Sequence, residues 1–168
     1  FKAIDDMGLA FIEQPLHYTD ILDHAELAKN IQTPICLDES IVSVKLAEQA
    51  IRIGACEYIN IKPARGGGLS NSVAIHNIAR DSGIPVWVGG MLESAVGSSV
   101  CVELATLPNF TYPGDLFPTS RFYERDLANT AMELTQDNTF VPFTDPMPEP
   151  DPEMLAKETV NFKAVTAG

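Results

Sequence analysis

Four short apolar runs recur along the chain at a nearly constant interval: Leu-Ala-Phe-Ile-Glu (9–13), Pro-Ile-Cys-Leu-Asp (34–38), Tyr-Ile-Asn-Ile-Lys (58–62) and Ile-Pro-Val-Trp-Val-Gly-Gly (84–90). The first three close on an ionisable residue, Glu13, Asp38 and Lys62, at spacings of 25 and 24 residues. A strand, a crossover helix and two short loops occupy roughly 25–30 residues. Each run therefore predicts a buried strand, and each gap a helix. The gaps agree. Asp20 is placed to cap a helix reaching about Asn30, with Ile21, His24, Ala25 and Ala28 at helical spacing. Ser43 is placed to cap a second, with Val44, Ala47, Ala50 and Ile51 inward and Gly54 at its end. A third is predicted over 69–82, stopped by Gly83, and a fourth over 94–106. Strands apolar on both faces, alternating with helices, predict an α/β fold with a parallel sheet.

Outside this rhythm the pattern weakens. Residues 1–7 read as the end of a helix, and 109–112 as a short fifth strand. From 113 to 130 the chain reads as loop, and 139–143 as one further strand. Prolines 142, 146, 148, 150 and 152 predict an extended arm, followed by a short helix over 152–158.

Charge narrows the functional classes. Eleven Lys and Arg against 23 Asp and Glu give a formal net charge of −12 over 168 residues. Nucleic acid is excluded as a partner, because phosphate contact needs a basic face. Three cysteines, Cys36, Cys56 and Cys101, lie in apolar segments and predict free buried thiols in a reducing compartment, the cytoplasm. No apolar run approaches the ~18 residues of a spanning helix, so no membrane is expected. Nor does the opening show the cationic-then-apolar pattern of a signal peptide.

The candidate chemistry sits where the strands end. In parallel α/β architectures the C-terminal ends of strands carry the active site. A charge closing a buried strand is costly unless paired or holding a metal. Side chains alternate along a strand, so Glu13 shares a face with Phe11, Asp38 with Cys36, and Lys62 with Asn60. If these faces converge, Glu13 and Asp38 become neighbours, and two such carboxylates need a proton or cation between them. Oxygen ligands suit Mg²⁺. A lysine beside that ion should lose its proton more easily and serve as a base. Simpler roles remain for each alone: Glu13 as a cap or surface acid, Asp38-Glu39-Ser40 as turn chemistry, Lys62 as a surface lysine. Gly66-Gly67-Gly68 is either an anion-binding helix start or a flexible loop. Residues 89–93 either present backbone donors to a carboxylate or make a tight turn. His17, His24 and His76 lack metal-ligand spacing and are expected on helix surfaces.

Several stretches carry a resemblance: Ile12-Glu13-Gln14-Pro15-Leu16, Pro34-Ile35-Cys36-Leu37-Asp38-Glu39-Ser40, Asn60-Ile61-Lys62-Pro63 with Arg65 and Gly67-Gly68, and Val88-Gly89-Gly90-Met91-Leu92-Glu93. Leu107-Pro108-Asn109-Phe110 and Pro113-Gly114-Asp115 extend it to about residue 125. Together they resemble the enolase superfamily, and within it the group that holds o-succinylbenzoate synthase and N-acylamino acid (N-succinylamino acid) racemase. The resemblance implies the C-terminal portion of a (β/α)7β TIM-like barrel over residues 1–130. An extended C-terminal arm over 131–168 would pack on a capping domain. It implies Mg²⁺ as cofactor, with Glu13 and Asp38 as two of three ligands. Lys62 would be one of two acid/base lysines on opposite faces of a small carboxylate substrate. Gly90, Met91 and Leu92 would line the substrate site, with Glu39 and Asn60 supporting the ligands. The implied reaction is proton abstraction α to a carboxylate, as dehydration in menaquinone biosynthesis or as racemisation of an N-acylamino acid.

The chain also departs from the family's pattern. No Lys-x-Lys pair occurs in the 168 residues, and a whole barrel needs roughly 250 residues. The chain is therefore expected to be about half of such an enzyme and inactive alone. It is expected to pair with its other half or a second copy, as a homo-oligomer. The reading from another class is a non-catalytic, open five-stranded α/β domain that binds a small anion or a partner chain.

Overall fold

The computed structural model describes residues 1–143 and 146–161. The parts of the expected arm at 144–145 and 162–168 lie outside the described residues. Two compact units form: residues 1–91 with 100–116, and residues 92–99 with 117–168.

The first unit holds a four-stranded parallel sheet in sequence order. Its strands are β1 (Ile12–Glu13), β2 (Ile35–Leu37), β3 (Tyr58–Ile61) and β4 (Val86–Val88). Between them run α1 (Ile21–Ala28), α2 (Val44–Ile53), the short α3 (Pro63–Gly66) and α4 (Leu69–Asp81). The register aligns Glu13 with Cys36, Cys36 with Tyr58, and Asn60 with Trp87. Strand alternation then sorts the side chains. Ile35, Leu37, Ile59, Ile61, Val86 and Val88 enter one buried cluster with Ala47, Ala50, Ile75 and Ala79 of α2 and α4. The alternate positions carry Glu13, Asp38, Asn60, Lys62 and Gly89 on the opposite face. Towards the strands' N-terminal ends, Phe11 lies against Tyr58, Tyr112 and Trp87, with ring centroids 5.1, 5.1 and 6.0 Å apart. These aromatics sit on the same face as the charged groups.

Local chemistry explains the boundaries. Ser43 Oγ accepts from Leu46 N at 3.2 Å, and Gly54 ends α2 at φ 69°, where a side chain would be strained. Asp20 does stand before α1, but its side chain does not cap the helix. Its carbonyl instead accepts from His24 Nδ1 at 2.8 Å. His24 and His76 are buried rather than on helix surfaces, because each bonds backbone: His24 Nε2 accepts from Leu16 N, and His76 Nε2 from Asn109 N. Residues 1–7 make successive turns, not the end of an α-helix. The carboxylate of Asp5 there accepts from Gln32 N and Thr33 N. The predicted fifth strand contributes only a single bridge, Phe110 to Val86.

The second unit has little regular structure. Asp126, buried, accepts from Ala95 N at the start of α5 (Ala95–Leu104) and from Ala128 N. A 3₁₀ turn spans Thr119–Arg121. A last helix, α6 (Pro152–Glu158), is capped by Asp151, whose side chain accepts from Glu153 N and Met154 N. The strand expected over 139–143 is absent: Pro142 has no N–H to give a ladder, and Thr135 and Thr139 close a turn instead. No helix among the described residues is long and apolar enough to cross a membrane.

Candidate functional site

Gln14 joins the ends of β1 and β2. Its Oε1 accepts from Asp38 N at 3.0 Å and Ser40 N at 3.1 Å, and its Nε2 donates to Ser40 Oγ at 2.8 Å. The backbone of Gln14 is left-handed, at φ 39°. A non-glycine residue held so costs about 1–2 kcal/mol, and these three hydrogen bonds offset that strain. Ser40 Oγ in turn donates to Tyr18 O at 2.8 Å. The loop carrying Asp38 is thus tied down before any charge interaction is counted.

Onto this frame the strands place the charged groups. Asp38 is buried at 3% exposure. Its Oδ2 accepts from Lys62 Nζ at 2.9 Å, and its Oδ1 from Arg65 of α3. A buried carboxylate with both oxygens in charge-assisted bonds is well compensated. Asn60 Nδ2 donates to Glu13 Oε1 at 2.9 Å, while Asn60 Oδ1, buried, has no partner. Glu13, Asp38, Glu39, Asn60 and Lys62 line one cavity of about 440 Å³, together with Gln14, Tyr18 and Asp115.

Five of the residues singled out from sequence therefore meet at one cavity. Gly90, Met91 and Leu92 are not among its lining residues. Gly90 N is engaged by Asp115 O at 2.8 Å, and Gly89 N by Ile61 O at 3.2 Å, so neither is a free donor. Met91 and Leu92 are exposed. Sequence reasoning assigned no role to Gln14, Tyr18, Arg65 or Asp115. Asp115 had a faint signal, an acid closing a Pro-Gly turn. Gln14 had none, since its work depends on a left-handed backbone.

Lys62 and Arg65 meet Asp38, and the Asn60 amide meets Glu13. Among the described residues, no three His, Cys, Asp or Glu side chains are placed to hold a metal ion. The carboxylates of Glu13, Asp38, Glu39 and Asp115 nonetheless bring hard oxygens to the cavity lining, and the buried Asn60 carbonyl beside them is unsatisfied. That chemistry fits Mg²⁺ as part of a ligand set.

Residues 1–145 match the family described as Enolase C-terminal domain-like. The chain is 49% identical over 132 residues to N-succinylamino acid racemase of Thermus thermophilus, covering 79% of this chain and 36% of that protein. It is 46% identical over 140 residues to o-succinylbenzoate synthase of Bacillus subtilis, covering 83% of this chain and 37% of that protein. An enolase-superfamily protein of Listeria innocua superposes with a TM-score of 0.82 at 42% identity, covering 93% of this chain and 42% of the other. The chain spans little more than a third of the curated relatives it matches, and its structural neighbours are enolase-superfamily TIM-barrel proteins that it matches in part.

Proposed function

The chain belongs to the Enolase C-terminal domain-like family, and from that premise we propose that it supplies part of the active site of an enzyme that removes a proton α to a carboxylate. One observation carries the reading. Lys62 Nζ is fixed 2.9 Å from Asp38 at the end of β3, facing a cavity otherwise lined by acids and amides. A lysine held in this way is placed to exchange a proton with a bound carboxylate substrate.

In the favoured reading the reaction is the dehydration of an o-succinylbenzoate synthase. The α C–H bond breaks, its proton passes to Lys62 Nζ, which must first have given up its own, and its electron pair moves into the substrate carboxylate. The β C–O bond then breaks, and the hydroxyl leaves as water with the proton that Lys62 received. Glu13 and Asp38 would hold Mg²⁺, with Asn60 steadying Glu13. When bound, the ion supplies positive charge to the substrate carboxylate. Arg65 and Gln14 keep Asp38 in place. A second reading is racemisation of an N-succinylamino acid, favoured by the 49% identity to a racemase beside 46% to a synthase. The same Lys62 step begins it, and a proton returns to the opposite face. As partners we propose a small carboxylate substrate, and further chain from the same enzyme or a second copy beside the edge strand β1. Sedimentation of this chain as a compact monomer would count against that pairing.

The test uses the full-length protein with Mg²⁺ in D₂O. Exchange of the α-proton, read by NMR, should occur with the precursor of o-succinylbenzoate or with N-succinylamino acids. Ultraviolet absorbance and optical rotation separate dehydration from racemisation. Absence of exchange across both substrate classes would end this reading. Calorimetry should show Mg²⁺ binding that Asp38→Asn and Glu13→Gln each abolish or nearly abolish; unchanged binding in either variant removes that residue as a ligand.

A further inference from the structure

Gly89 follows β4 directly, and its nitrogen bonds Ile61 O, one residue before Lys62. Its backbone lies outside the left-handed region, so no turn geometry requires glycine there. Space does. A Cβ built on Gly89 would lie 2.3 Å from Asn60 Oδ1, 2.4 Å from Lys62 Cε and 2.7 Å from Asn60 Nδ2. Ordinary contacts between carbon atoms are about 3.5–4.0 Å. Lys62 Cε would have to retreat by roughly 1 Å, carrying with it the Nζ that now meets Asp38. Asn60 lacks the lysine's freedom to retreat. It is 1% exposed, and turning it away would break its bond to Glu13.

We propose that Gly89 is a positioning residue: its bare Cα leaves the slot in which the Lys62 stem and the Asn60 amide lie, and so sets where Nζ and the Glu13 carboxylate stand. Any side chain at 89 displaces the acid/base group and the support of a candidate ligand in one step. The structural claim stands on its own. Its catalytic consequence rests on the reading of Lys62 given above.

The experiment compares Gly89→Ala with Gly66→Ala in the full-length protein. At Gly66 an added Cβ would meet Ile75 Cδ1 at an ordinary 3.6 Å. The first readout is the ¹³Cε signal of Lys62 in lysine-labelled protein, assigned by its loss in Lys62→Arg. Gly89→Ala should shift it and Gly66→Ala should not. The second is α-proton exchange, where a displacement near 1 Å is expected to cost on the order of 10²-fold in rate. The third is a stability cycle: Gly89→Ala should cost less in a Lys62→Ala, Asn60→Ala background than alone, because that background removes all three colliding atoms. If Gly89→Ala does not fold, the triple variant should fold. An unmoved Lys62 signal, additive stability effects, or a triple variant no better than the single would each overturn the proposal. If the wild type shows no exchange at all while the signal and the cycle behave as expected, the reading of the reaction fails and the placement of Lys62 by Gly89 stands.

Discussion

Asp38 accepts from Lys62 and Arg65 while buried, and the side chains of those two cations are only 13% and 20% exposed. Removing the carboxylate strands both. Breaking a fully buried pair costs about 3–5 kcal/mol, and the water that reaches the two cations lowers this. Asp38→Asn is therefore expected to destabilise by about 1–3 kcal/mol, read as a shift of the urea midpoint. An unchanged midpoint would mean that the cations find other partners. Lys62 is expected to behave differently. Lys62→Ala should lower α-proton exchange by about 10²–10⁴-fold. Lys62→Arg should do the same, since a guanidinium stays protonated near neutrality. Near-normal exchange in Lys62→Arg would make Lys62 a structural residue only. Why these groups were visible beforehand is physical. A charge closing an apolar run has an ordinary explanation when taken alone, and it is the shared register of three that makes those explanations hard to hold together. Arg65 and Asp115 close no such run, and the fold is what brings Arg65 to Asp38 and Asp115 to the cavity.

At the scale of elements, two residues that look alike in sequence do different work. Ser43 and Asp20 each precede a helix, but only Ser43 bonds a backbone N–H of its helix. Ser43→Ala should cost about 1 kcal/mol, and Asp20→Ala less than about 0.5 kcal/mol, both from urea midpoints at constant slope. Equal costs would show that Asp20 caps α1 in solution. Spacing and residue type locate a cap, but they do not say whether the preceding loop leaves the side chain free to use it. Near Asp20 the loop geometry is set by His24, which takes the Asp20 carbonyl. Asp5 shows the converse. In a segment that reads as helix end, it ties the first turns to the residues before β2. The backbone N–H groups of Gln32 and Thr33 hold its carboxyl below the usual carboxylate range. A lowered folded pKa means that its stabilisation is present above the unfolded value, near 3.9, and fades as pH falls through the folded one. The stability gap between wild type and Asp5→Ala should be full at pH 6 and narrow below about pH 4. A gap independent of pH would show that Asp5 acts without its charge.

For the molecule as a whole, the βα period made the first unit legible and left the second obscure. Strands over the second, third and fourth runs and helices after Ser43 and Gly68 stand close to where periodicity placed them, because burial on both strand faces leaves a continuous apolar signature, whereas β1 is a two-residue strand with Ile12 half-buried and Glu13 exposed. The second unit is held by single side chains such as Asp126, whose partners at 95 and 128 no periodic pattern announces. The same burial that made the strands readable acts on the cysteines, all three of which are free of disulfides and buried. Burial pushes the Cys56 thiol up to about 12 and raises the Cys36 thiol as well, although Trp87 Nε1 donates to Cys36 Sγ and pulls the other way. In the unfolded chain a thiol ionises near 8.5. A raised folded pKa gives stability that is whole below the unfolded value and is lost as pH climbs towards the folded one. Stability should therefore fall from about pH 8.5 upward, by roughly 1 kcal/mol for each pH unit from each of Cys36 and Cys56. Urea unfolding at pH 7, 9 and 10 measures this, and Cys56→Ala isolates one share of it, because the variant should lose less with pH than the wild type. Native protein at pH 8 should also resist a thiol reagent until urea exposes the core. Rapid labelling of Cys36 or Cys56 without denaturant would show that this core opens to solvent, and the rigid floor on which Asp38, Asn60 and Lys62 are placed would have to be given up.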